Sequence, residues 1–190
     1  MPYKTRKNEQ YNDCWMYYLL LTTLVILIQS LKSYEFTILD VSIPFSFLLV
    51  PVTFLCTNFI VKRYDYKKAV AAICISAVMS IVFSAVIAFA VGKTFILANF
   101  TGEFCAYIAS QFVNLTIYLF LLNNTRCPFF VLLFNYFFSI LIYYLFYTLM
   151  YLDSVLLDSY LIRYFYTVII DFIICIPLTF VDIKVKRGIE

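Results

Sequence analysis

Pro44–Ala69 reads PFSFLLVPVTFLCTNFIVKRYDYKKA, an apolar run that halts on Lys62, Arg63, Lys67 and Lys68. The greasy part is close to the roughly 20 helical residues that cross a hydrocarbon layer. Its sudden end in basic residues marks a cytoplasmic boundary, because Lys and Arg accumulate on that side of a membrane. Within the run sit Pro51, Thr53, Thr57 and Asn58. Pro51 lacks a backbone donor and disturbs the carbonyl one turn earlier, which a membrane tolerates where neighbouring groups or water re-satisfy the backbone. The expectation is a kinked helix carrying Thr53 and Asn58 beyond the kink. Transporters use such broken helices, and inert packing kinks look the same.

Reading outward, the whole chain has the same character. Of 190 residues, 64% are hydrophobic and 13% are charged, and mean hydropathy is +0.93. A soluble domain carries about 25% charged residues, so this chain lacks the polar surface that water requires. Apolar runs fall at about 15–31, 41–61, 69–92, 104–122, 128–152 and 160–182. The predicted fold is all-α, a single domain over residues 1–190 forming an integral membrane bundle of six transmembrane helices. Lys4, Arg6 and Lys7 precede the first run as they would precede a signal peptide. Its apolar core is long for one and no small-x-small cleavage site follows, so retention is expected.

Alternate connections divide the basic residues unevenly. Eleven of the fourteen, including Lys4, Arg6, Lys7, Arg126, Lys184, Lys186 and Arg187, fall on one side. Lys32, Lys93 and Arg163 fall on the other. That asymmetry predicts both termini in the cytoplasm. The net charge of +3 then reflects topology and calls for no nucleic-acid partner.

The chemical inventory argues against an enzyme. The chain has no histidine, which removes the usual general base near neutral pH and the commonest metal ligand. Cys14, Cys56, Cys74, Cys105, Cys127 and Cys175 show no C-x-x-C spacing, so neither a redox motif nor a zinc site is signalled. No Gly-rich phosphate loop is present. The expectation is a protein without cofactor, metal or catalytic residues.

What remains is polar groups at membrane depth, which normally face protein or water. Tyr107, Gln111, Asn114 and Tyr118 follow one another at helical spacing and share one stripe. Two amides between two phenols can donate, accept and stack a flat ring, or can bond neighbouring helices at about 1 kcal/mol each. Tyr164, Thr167 and Asp171 form a second stripe. Asp171 reads as the only acidic residue well inside a span, either a substrate or proton contact or a structural partner. Asn135, Ser139 and Tyr143 give a weaker third stripe. Arg163 sits near the outer boundary, where it can snorkel to the interface.

Residues Lys32 to Ala69 resemble the queuosine precursor transporter family, also called vitamin-uptake-transporter-like proteins. The family pattern has a lysine after helix one, then L-P-x-G-x-x-x-F-P-l-T-y, an acidic residue and E-x-Y-G-y-k-r-A. Lys32, IPFSFLLVPVTF and TNFIVKRYDYKKA follow it without gaps, through Pro44, Pro51, Thr53, Phe54, Tyr64, Tyr66, Lys67 and Ala69. EFCAYIASQFVNLTIY is similar to the family's A-S-x-x-A-x-x-x-g-Q-x-x-D segment, with Gln111 at the glutamine, and Pro177 matches a proline near the end of helix six. The departures concern charge. Asn58 and Asn114 stand where the family has Asp, Lys62 where it has Glu, Asp65 at a turn glycine and Thr167 at a lysine; near Tyr147 and Thr148 the family's Asp is missing.

The resemblance implies a multi-pass protein of the bacterial cytoplasmic (inner) membrane that imports deazaguanine bases for tRNA modification by alternating access. Amides can complement the base's pairing edge, aromatic rings can stack its faces, and Asp171 can pair with the cationic aminomethyl group of one precursor. The implied binding set is Thr53, Asn58, Tyr107, Gln111, Asn114, Tyr118, Asn135, Ser139, Tyr164, Thr167 and Asp171. The chain has no energy-converting module, so it would work as a secondary carrier, alone or as a homodimer, or with separate subunits. The alternatives are a substrate-binding membrane subunit of an energy-coupling-factor vitamin transporter and a non-transporting scaffold subunit.

Overall fold

A computed structural model describes residues 3–32, 34–90, 98–124, 128–151 and 157–184, with side chains placed at 14–32, 34–90, 102–120, 129–149 and 162–184. Among these residues the chain forms six α-helices: α1 (Tyr3–Leu31), α2 (Val50–Arg63), α3 (Tyr66–Ala90), α4 (Ala98–Asn124), α5 (Pro128–Tyr151) and α6 (Leu157–Lys184). Between α1 and α2 lie strands β1 (Glu35–Ile38) and β2 (Val41–Pro44) and a 3-10 helix, Phe45–Leu49.

This insertion corrects the second predicted run. Residues 41–44 pair as an antiparallel hairpin with 35–38, Glu35 opposite Pro44 and Ile38 opposite Val41. The turn residues Leu39 and Asp40 both have positive φ, 49° and 65°, the geometry of a tight two-residue hairpin turn. Pro44 is extended (φ −65°, ψ 136°), as its fixed φ permits, and it closes the strand. Pro51 occupies the first turn of α2, where its missing donor would be unpaired in any helix. It starts the helix rather than kinking it. The 3-10 helix and α2 together cover Phe45–Arg63, 19 residues, enough to cross.

Asp65 explains the next boundary. Its Oδ1 accepts the backbone N–H of Lys68 at 2.7 Å, capping the start of α3 in the usual manner of an N-terminal Asp. The residue that departs from a turn glycine has a structural task of its own.

Among the described residues, five helices are long and apolar enough to cross a membrane: Cys14–Leu31, Phe45–Arg63, Tyr66–Ala90, Phe129–Leu149 and Ile162–Lys184. This is a multi-pass membrane pattern. α4 carries Glu103, Gln111 and Asn114 buried on its inward face. The Phe45–Arg63 segment is 72% buried, against 17% to 39% for the other four. It touches every other helix and forms the axis of the bundle, with α4 packed on α5 and α5 on α6.

The outside is apolar. Leu19, Val86, Phe89, Phe134, Phe165 and Ile173 are among many large side chains left exposed. A soluble monomer rarely exposes more than a few hundred Å² of contiguous apolar surface, so this surface is suited to lipid. Polar side chains collect inside.

Candidate functional site

All eleven residues of the implied binding set are buried, nine of them completely; Tyr107 and Tyr164 retain 8% exposure. The stripes therefore face inward as read. They meet one another directly rather than across an open hollow.

Two linked clusters form the centre. In the first, Gln111 of α4 inserts between two threonines of α2: its Nε2 donates to Thr53 Oγ1 at 2.8 Å and its Oε1 accepts from Thr57 at 2.9 Å. In the second, an amide chain crosses three helices. Asn135 of α5 donates to Asn114 Oδ1 at 2.8 Å, and Asn114 of α4 donates to Asn58 Oδ1 at 2.9 Å. Asn58 of α2 in turn donates to Asp182 Oδ2 of α6 and to the Tyr136 hydroxyl, each at 3.3 Å.

Asp182 is the hub at this end. Lys62 and the Tyr118 hydroxyl donate to Oδ1, the latter at 3.2 Å, and the Tyr136 hydroxyl donates to Oδ2 at 3.1 Å. Lys62 also reaches the Asp182 backbone carbonyl. The Lys62 side chain is 6% exposed and that of Asp182 0%. Such a pair survives burial only because added hydrogen bonds satisfy the remaining lone pairs. Two sequence expectations change here. Lys62 is not a solvated anchor, and Asp171 is not the only inward acid.

The sequence carried a signal for this hub. Asp182 lies eleven residues after Asp171, three helical turns further along the stripe of Tyr164, Thr167 and Asp171. Thr57, named in the central run but left out of the implied binding set, and Tyr136, not singled out, adjoin Asn58 and Asn135 in sequence.

Asp171 occupies a separate position towards the other end of α6. Its Oδ2 accepts the Tyr144 hydroxyl at 2.7 Å. Its Oδ1 is buried with no partner among the described residues, as is Asn135 Oδ1. Ser139 and Thr167 donate back into their own helices, to Asn135 O at 2.8 Å and Arg163 O at 2.7 Å.

Towards the hairpin end the network opens into two cavities. The smaller, about 20 Å³, is lined by Thr53, Glu103, Tyr107 and Tyr143 among others, room for about one water. The Tyr107 hydroxyl meets Ser76 Oγ at 2.8 Å. The larger, about 180 Å³, is lined by Lys32, Glu35, Pro44, Phe47, Tyr147, Arg163 and Tyr164. Two contacts link the pair: the Lys32–Glu103 ion pair and the stacked Tyr143 and Tyr147 rings, 6.3 Å apart. Arg163 does not simply snorkel; its guanidinium donates to Glu35 Oε1 at 2.6 Å and ties α6 to β1. Cys14, Cys56 and Cys175 are buried free thiols, while Cys127 lies outside the described residues, as do the side chains of Lys4, Arg6, Lys7, Lys93 and Arg126.

The core groups are amides, hydroxyls and carboxyls bonded to one another, and two buried oxygens, Asn135 Oδ1 and Asp171 Oδ1, lack a partner among the described residues. No family model matches the chain, and neither a curated protein nor a solved structure matches it.

Proposed function

We propose that this chain is a six-span transporter of the bacterial cytoplasmic membrane, with both termini inside. It imports small, flat, hydrogen-bonding solutes of the deazaguanine type, the precursors of tRNA queuosine. The observation that carries this reading is the pair of orphaned acceptors, Asn135 Oδ1 and Asp171 Oδ1, in a polar core framed by α2, α4, α5 and α6. A buried acceptor without a donor costs about 1–3 kcal/mol, and a deazaguanine pairing edge brings N–H donors. Binding would satisfy these oxygens and rearrange the amide chain, whose members already exchange hydrogen bonds across helices. Alternating access then means parting the helices on one side of this core while the other stays closed.

The test is rescue of tRNA queuosine in a bacterium unable to make the precursors, expressing this chain and supplied with the cyano- or aminomethyl-deazaguanine. Rescue by the wild-type chain, lost in Gln111→Leu and Asp171→Asn, supports import. Rescue that needs co-expressed ATPase subunits supports the energy-coupling-factor reading instead.

One observation favours a second reading, a non-transporting assembly subunit: Gln111 and Asn114 are already engaged by Thr53, Thr57, Asn58 and Asn135. On that reading no deazaguanine raises the melting temperature of the purified chain, whereas a specific ligand must stabilise the folded state.

A further inference from the structure

The larger cavity at the hairpin end has a chemistry distinct from the amide core. Phe47, Tyr147 and Tyr164 supply aromatic walls. Phe47 and Tyr147 stand nearly perpendicular, at 86° with centroids 5.8 Å apart, and Tyr147 and Tyr164 at 73° and 6.1 Å. Charges come from Lys32, Glu35 and Arg163. An apolar cavity of roughly 150 Å³ holds benzene, so about 180 Å³ accommodates one six-membered ring with a small substituent.

Arg163 decides which substituent. One terminal nitrogen of its guanidinium is committed to Glu35. The guanidinium has five N–H donors and no acceptor, more than one Glu35 oxygen can accept, and it lines the cavity with its side chain 25% exposed. The group that completes it is an oxygen with lone pairs. A ligand ammonium cannot do so, and the wall carries two cations, Lys32 and Arg163, to one carboxylate, Glu35.

We propose that this cavity is a binding site for a flat-ring solute whose edge carries an oxygen acceptor, a carboxylate or a ring carbonyl, with Arg163 as the recognising donor. The ring packs among Phe47, Tyr147 and Tyr164. The site stands on its own chemistry; where the import reading also holds, it is the place where solute first docks, one ion pair away from the core.

Equilibrium dialysis of the purified full chain with radiolabelled benzoate, and separately with benzylamine, tests this. Benzoate should bind, and benzylamine should bind at least about tenfold more weakly, the scale of one charged hydrogen bond. Arg163→Leu should weaken benzoate by a similar factor. Arg163→Lys keeps a charge for Glu35 but lacks the planar fork, and should weaken benzoate several-fold, which decides the matter if the leucine variant does not fold. Glu35→Gln releases Arg163 and removes a negative charge, so benzoate binding should be retained or tightened. No benzoate binding by the wild type, preference for benzylamine, indifference to Arg163→Lys, or loss in Glu35→Gln each overturns the proposal. Failed queuosine rescue with intact benzoate binding overturns import and leaves this site standing.

Discussion

Asp171 has one carboxylate oxygen bonded to Tyr144 and the other without a partner among the described residues, so the two substitutions at this pair separate role from stability. Asp171→Asn keeps an acceptor for Tyr144 and exchanges the buried carboxyl for an amide of nearly the same shape. The melting temperature of the purified chain should stay level or rise, while queuosine rescue should fall at least about tenfold if the oxygen meets solute. Tyr144→Phe leaves a buried carboxylate without its donor and should destabilise by about 1–3 kcal/mol, read from denaturant or thermal unfolding. Leu39 offers a prediction free of function. It holds φ at 49° while 75% exposed, and a left-handed residue with a Cβ costs roughly 1–2 kcal/mol. Replacing Leu39 and Asp40 by Asn and Gly, the preferred pair for such a turn, should raise the melting temperature. At this scale the inward direction of all eleven singled-out residues was legible, because helical spacing alone fixes a face. Their partners were not. Spacing along one helix does not say that Gln111 reaches Thr53, nor that Lys62, counted with the loop cations, bends inward to Asp182.

Between elements, the Lys62–Asp182 pair ties the ends of α2 and α6 far apart in sequence but adjacent in the bundle. Removing one partner strands the other charge, and such single losses cost about 3–5 kcal/mol, whereas replacing both by apolar residues is often neutral or better. Asp182→Asn and Lys62→Met should each destabilise strongly, and Lys62→Met with Asp182→Leu should recover much of the loss. A double-mutant cycle on thermal unfolding measures the coupling; additive effects would mean that the two side chains do not act as a pair. Six apolar stretches were readable as helices because lipid demands long uninterrupted runs. The hairpin was not, since β1 falls in the short gap between the first two runs and β2 merges into the start of the second. Pro51, read as the kink of a helix, instead lies in the first turn of α2, and Pro44 ends a strand.

For the molecule as a whole, exposed Phe, Leu, Ile and Val surround an apolar core in which the polar side chains are gathered out of reach of lipid. This polarity fixes where water can be. The hairpin turn at Asp40 and the α2–α3 turn at Asp65 lie at opposite ends of the Phe45–Arg63 segment, so they belong on opposite faces of the bilayer if that segment crosses it. The proposed orientation puts the Asp65 turn, with the basic cluster Lys62, Arg63, Lys67 and Lys68 beside it, in the cytoplasm, the side on which positive charge is held. Asp40→Cys and Asp65→Cys, each introduced into a chain with its native cysteines changed to Ser or Ala, separate the two faces. A membrane-impermeant maleimide applied to intact cells should label position 40 and spare position 65. Permeabilising the cells should expose both. Labelling of position 65 in intact cells would reverse the orientation and with it the direction in which solute approaches Arg163, while equal labelling of both in intact cells would mean that the central segment does not cross at all.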